Sequence, residues 1–392
     1  MFKILKGRYI IFFILIILFL TGSFFIYKQQ LQKKYNPIKE SQPFIPEPPE
    51  TVAQQEPISK TPKIINAVYL TSWSATNQKT VDYVIDIAKN TEINAVVIDV
   101  KDWSGHIAYD TQIAEAEKYN AERKIIPDIK AFLEKFKKEG IYTIARIAVF
   151  QDPVLAFAKP ELAVRQKTDT SLIWLDNSGL SWVDPASKES WSYNTAIAKD
   201  ALSQGFDEIN FDYIRFPTDG DLQNMSFPFW DGMTPKNLII REFFKYLRKE
   251  LPKAVLSVDL FGLTTVNKDD LGVGQIIEYG YESFDYVCPM VYPSHYAPGF
   301  KGYENPADYP YEVIEFSMQR ALKRMKDYNQ EYQKNAKLRP WIQDFDLRAE
   351  YNKEQVRLEI DAILNSLGED FSGFMVWNSE NIYTTEAFSP EN

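Results

Sequence analysis

Glu208-Ile209-Asn210-Phe211-Asp212-Tyr213-Ile214-Arg215-Phe216-Pro217 is a strand that carries a carboxylate among apolar residues and runs into a proline. Side chains alternate along a strand, so Asn210, Asp212 and Ile214 face one way and Phe211, Tyr213 and Arg215 the other. A carboxylate in such surroundings is costly to bury unless it is paired or put to use. With Asp212 turned into the mouth of a barrel, Arg215 falls at the strand end, where the loop can curl it back.

Working outward, the chain after residue 63 repeats this text. Short β-branched apolar runs occupy residues 66–72, 94–100, 142–150, 208–214, 254–260, 286–292, 339–343 and 373–377. Amphipathic stretches separate them, at 80–89, 126–139, 187–203, 235–251, 312–328 and 353–367. Strands alternating with helices are expected to form a parallel sheet wrapped by helices. Eight units in residues 64–392 fit an α/β fold of the (β/α)8 TIM-barrel class, the first and last strands pairing to close it. An open doubly wound sheet rarely needs eight repeats, and no glycine-rich phosphate loop follows any strand. Residues 64–392 are therefore read as one domain.

The first 63 residues read differently. Residues 9–27 are 19 in a row without a charge, which at about 1.5 Å per helical residue spans roughly the 30 Å hydrocarbon core. Residues 1–35 are expected to be a membrane anchor, with Lys3, Lys6 and Arg8 before the span and Lys28, Lys33 and Lys34 after it. A cleavable signal peptide is the alternative, favoured by the positive start and disfavoured by the length and the lack of a small-residue cleavage site. Residues 36–63 hold seven prolines, including Pro46-Glu47-Pro48-Pro49, and form an extended spacer rather than a core. The expected location is a single-pass cell-membrane protein with its barrel outside the cytoplasm.

Charge narrows the partners. The net charge of −10 hides nine Lys/Arg against four Glu in residues 1–63, which leaves the remainder at −15. A body that acidic repels phosphate backbones, so nucleic acid is excluded as a partner. The single cysteine, Cys288, permits no internal disulfide.

Barrel chemistry sits where strands run into their following loops. There the sequence places Asp99, Lys101, Asp102 and Trp103 after the second run, Arg146 in the third, and Asp212 and Arg215 in the fourth. The fifth gives Asp259, the sixth Tyr292 and His295, the seventh Gln343-Asp344, and the eighth Trp377. Hydrolysis of a glycoside needs two carboxyl groups across the scissile bond, about 5 to 9.5 Å apart according to stereochemistry. Adjacent strands lie about 4.8 Å apart, so Asp212 and Asp259 are the expected catalytic pair. Structural roles compete: Asp212 could hold Arg146 or Arg215, and Asp259 could cap a turn. Asp99, Lys101 and Asp102 are either a sugar-positioning network or a plain ion-pair cluster, with Asp344 as the reserve carboxylate. Rings at the mouth, Trp73, Trp103, Trp182, Tyr213, Tyr292 and Trp377, suit stacking on a pyranose as well as ordinary core packing.

His106 and His295 are the only histidines, and with Cys288 they match no zinc spacing, so neither cofactor nor zinc is expected, although a carboxylate-bound calcium stays open. No G-x-S-x-G elbow points to a serine hydrolase.

Four segments resemble a bacterial glycoside-hydrolase family of uncharacterised specificity, similar to the α-amylase-type barrels. They are Ala67-Val68-Tyr69-Leu70-Thr71, Val97-Ile98-Asp99-Val100-Lys101-Asp102, the stretch from Gly205 to Pro217, and Pro289-Met290-Val291-Tyr292-Pro293-Ser294-His295-Tyr296. The likeness covers residues 64–383 and implies that Asp212 is the nucleophile. Three positions depart from the amylase pattern. Asn210 stands where an Arg is usual, Asp259 where the Glu acid/base is, and Gln343-Asp344 where a His-Asp pair is. The expected function is hydrolysis of an envelope or extracellular polysaccharide. The alternative is a catalytically silent carbohydrate-binding or scaffold barrel.

Overall fold

The computed structural model describes residues 61–388. The expected anchor and nearly all of the proline-rich spacer lie outside the described residues, and no helix among the described residues is long and apolar enough to cross a membrane.

The elements follow in chain order β1 (Ile65–Leu70), α1 (Gln78–Asn90), β2 (Ala95–Lys101), α2 (Ala114–Lys118), α3 (Ile129–Lys138), β3 (Tyr142–Ala148) and α4 (Pro153–Ala158). Next come β4 (Arg165–Gln166), α5 (Lys188–Gln204), β5 (Glu208–Asp212), β6 (Met225–Ser226), α6 (Lys236–Glu250), β7 (Val255–Phe261) and α7 (Ile277–Ser283). The last are β8 (Tyr286–Met290), α8 (Pro310–Tyr332), β9 (Lys337–Leu338), β10 (Trp341–Gln343), α9 (Lys353–Leu367) and β11 (Gly373–Trp377).

The main sheet runs β10-β11-β1-β2-β3-β5-β7-β8-β9, and β10 also pairs with β8, so the ring closes. All its pairings are parallel. Nine strands make eight staves because β9 and β10 are two halves of one, broken at Arg339-Pro340. Proline has no N–H to give the ladder, and its carbonyl instead accepts from Met375 N. The short antiparallel pair β4 and β6 lies in the long loops after β3 and β5.

Alternation sorts the strand residues into two cores. Ile65, Ala67, Tyr69, Ala95, Val97, Ile144, Cys288, Trp341 and Met375 fill the barrel, while Val68, Leu70, Val96, Ile98, Ile209 and Val258 pack outward with the helices. Helices start where side chains can cap them: Asp128 accepts from Ala131 N, Ser187 from Ser190 N, and Asn352 with Gln355 forms a capping box on α9.

The barrel closes on a glycine. Gly373 pairs with Ile65 at a φ of 115°, and a Cβ there would overlap the Ile65 carbonyl.

Polar residues also enter the interior. Glu208 and Arg339 form a fully buried ion pair deep in the barrel, and Ser257 donates its hydroxyl to Glu208. One step up, Asn210 donates to Ser257 Oγ at 3.0 Å and to Asp259 Oδ1 at 2.8 Å. A hydrogen-bonded column thus runs from the buried pair to the level of Asp259.

Candidate active site

Phe211 and Val258 are in register on β5 and β7, and Asp212 and Asp259 are the residues one step further on each strand. Both carboxyl groups line one cavity of about 470 Å3, with Arg146, Arg215, Tyr292, Trp341 and Trp377 among its walls. That volume suits one or a few sugar rings.

Arg146 organises the floor. From β3 its Nη1 donates to Asp99 Oδ1 at 2.7 Å, its Nη2 to Asp212 Oδ2, and its Nε lies 3.7 Å from Asp259 Oδ2. Tyr69 donates its hydroxyl to the other oxygen of Asp99. The guanidinium also sits 5.1 Å from the centre of the Trp377 ring, which itself stacks on Tyr69. Three carboxyl groups therefore surround one cation, and they cannot all ionise without strong repulsion.

Asp259 resolves that conflict. Burial, and next the charge of Asp212, push its pKa up from 3.8 to about 8, against the pull of Arg146. Its Oδ1 accepts from Asn210 Nδ2 and Trp341 Nε1, both at 2.8 Å, while Oδ2 has no hydrogen-bond partner. Both donors end on one oxygen, so a proton on the acid resides on Oδ2. The upward shift favours the neutral acid beside the Asp212 carboxyl group, a pairing able to combine proton donation with nucleophilic or charge-stabilising work.

The structure divides the remaining expected residues. Tyr292, His295, Arg215 and Trp377 line the cavity with Asp212 and Asp259. Burial, then Arg348, lowers the His295 pKa, and its Nδ1 lies 3.1 Å from Ser294 Oγ. Asp99 stands behind Arg146 and reaches the cavity only through it. Lys101 turns the other way, because the β2 register slips between Asp99 and Lys101. Its ammonium is buried against Asp152 at 2.7 Å and Asn194 at 2.8 Å, on the helical side. Asp102 holds Ser104 N at 2.9 Å in a local turn, and Trp103 is half exposed, away from the cavity walls. Asp344 accepts from Thr384 N and Oγ1, each at 2.7 Å, and so pins the C-terminal segment instead of facing the pair.

Trp73 is exposed and stands outside the cavity, while Trp182 is buried beneath it. Tyr69 and Trp341 were not singled out from the sequence, yet with Asn210 they set the positions of Asp99 and Asp259. Their signal was the inward phase of their strands, shared with Asp99, Asp212 and Met375.

A family model described as "Putative glycosyl hydrolase domain" matches residues 67–383. Among solved structures, a hypothetical protein from Ruminiclostridium thermocellum is 39% identical, with 53% of this chain and 98% of that chain covered at a TM-score of 0.46. The PgaB (BpsB) glycoside hydrolase domain from Bordetella bronchiseptica is 13% identical, with 84% and 100% covered at a TM-score of 0.56, and so shares the fold. No curated protein matches.

Proposed function

Because the chain belongs to this glycosyl hydrolase domain family, we propose that it hydrolyses glycosidic bonds with Asp212 and Asp259 as its catalytic pair. The observation that carries the reading is the raised pKa of Asp259 beside Asp212 in one sugar-sized cavity.

In the proposed reaction Asp259 gives its proton to the glycosidic oxygen as the bond to the anomeric carbon breaks. Asp212 attacks that carbon, held in place by Arg146, and forms a glycosyl ester. Asp259, now a carboxylate, takes a proton from water, whose oxygen displaces Asp212 and releases the sugar. The separation of the two carboxyl groups distinguishes this retaining course from an inverting one, which needs room for water between them.

The substrate is proposed to be an envelope or extracellular polysaccharide. The barrel is proposed to lie outside the cytoplasm, held by the uncharged run 9–27 and the proline-rich spacer, and protease shaving of intact cells tests that placement.

Release of reducing ends from a panel of polysaccharides tests the activity. Asp212→Asn is expected to abolish release while leaving the fold intact; full activity in that variant removes Asp212 from the mechanism. The anomer formed first, read by NMR, tests retention.

A further inference from the structure

Arg215 has an environment unlike that of the other arginines of the barrel. Strict alternation along β5 would send it to the outer layer, but Tyr213 adopts a φ of 53°, a left-handed conformation unusual for a tyrosine. The strand ends there, and Tyr213 and Arg215 both line the cavity.

The guanidinium lies 4.7 Å from the centre of the Trp182 ring, 5.0 Å from Phe261 and 5.3 Å from Tyr213. Rings stabilise a cation through their faces without using its N–H groups. Its one hydrogen bond runs from Nη1 to Thr218 Oγ1 at 2.8 Å, and among the described residues no carboxylate stands within 4 Å of it. By contrast, Arg146 and Arg339 are both paired with buried carboxylates. Burial lowers the Arg215 pKa, against the pull of the Asp212 charge. Asp212 shares the cavity but is engaged by Arg146.

We propose that the cavity receives a glycan bearing an oxyanion substituent, a uronate carboxylate or a sulfate ester, and that the free N–H fork of Arg215 binds that group. This rests on the hydrolase reading. A planar fork matches a two-oxygen anion with directed, charge-assisted bonds, which a lysine could not reproduce. The surrounding rings supply apolar faces for the sugar that carries it.

The test uses the full chain with Asp212→Asn to block turnover, on an array of neutral, uronate-containing and sulfated glycans. Retention of acidic glycans is expected, and adding Arg215→Gln should weaken it about ten- to a hundredfold. The uronate and sulfate arms identify the oxyanion. Retention of neutral glycans alone, of no acidic glycan, or of acidic glycans equally with and without Arg215 overturns the proposal. If Arg215→Gln does not fold, Arg215→Lys and the salt dependence of the parent chain decide, since anion binding must weaken as salt rises. Turnover of only neutral glycans by the unmutated chain would sink this inference and leave the hydrolase reading standing. Acidic binding with no turnover of any glycan would do the reverse.

Discussion

Trp341 donates its indole N–H to Asp259 Oδ1 at 2.8 Å, from a strand that does not neighbour β7. A donor aimed at a carboxyl oxygen favours the ionised form, so this bond restrains a pKa that burial raises. Trp341→Phe keeps most of the ring and removes the donor. The alkaline limb of kcat/KM should then move above its position in the parent chain; a limb left in place would show that the indole sets only packing.

The position of that limb follows from Asp259 itself. In the proposed reaction the acid form of Asp259 is the proton donor, and it exists below a pKa of about 8, so kcat/KM should fall as pH rises through about 8. Asp259→Asn should cost about 10²- to 10⁴-fold in kcat and erase the limb. Stability has the same sign. An unfolded Asp near its ordinary 3.8 has lost its proton where the folded one still holds it, so stability should decline with pH between those values. Denaturant midpoints of the parent and Asp259→Asn across that window check it.

Removing the central cation should damage the fold as well as the chemistry. Arg146→Met leaves Asp99 and Asp212 buried without their partner, a loss of about 3 to 5 kcal/mol in urea unfolding. A cost below about 1 kcal/mol would mean that the carboxyl groups find water instead.

Closure of the barrel is exposed to one methyl group. Gly373→Ala must relieve both a φ of 115° and an overlap with the Ile65 carbonyl, at a cost of about 3 kcal/mol or more, read as a lower Tm. An unchanged Tm would require the seam to shift freely.

Period and spacing carried most of the architecture. Eight apolar runs and six amphipathic stretches coincide with staves and helices because burial on both faces makes parallel strands uniformly apolar. The strand ends slipped where local chemistry intervened: Tyr213 stops β5 short of Ile214, and Pro340 breaks the seventh stave. Three short helices, α2, α4 and α7, were missed, being too brief to show a period. In the site, Asp212 and Asp259 were legible as acids on adjacent apolar strands. Lys101 was misleading because a one-residue slip reverses a side chain's direction, and nothing in its neighbours announces the slip. Asp344 was misleading because its partner Thr384 lies forty residues away. Tyr69 and Trp341 were hidden for the opposite reason, as rings on inward positions read as ordinary core.

The pairing of Ile65 with Gly373 joins positions more than three hundred residues apart. A ribosome releases the chain from its N-terminus, so β1 emerges early and waits with one edge bare until β11 is made. The cavity has the same timetable: its Trp377 wall and the Thr384 clamp on Asp344 arrive together, after the other seven staves. A chain without β11 therefore has an incomplete cavity, and the open edge of β1 is a bare row of strand N–H and C=O groups during that wait.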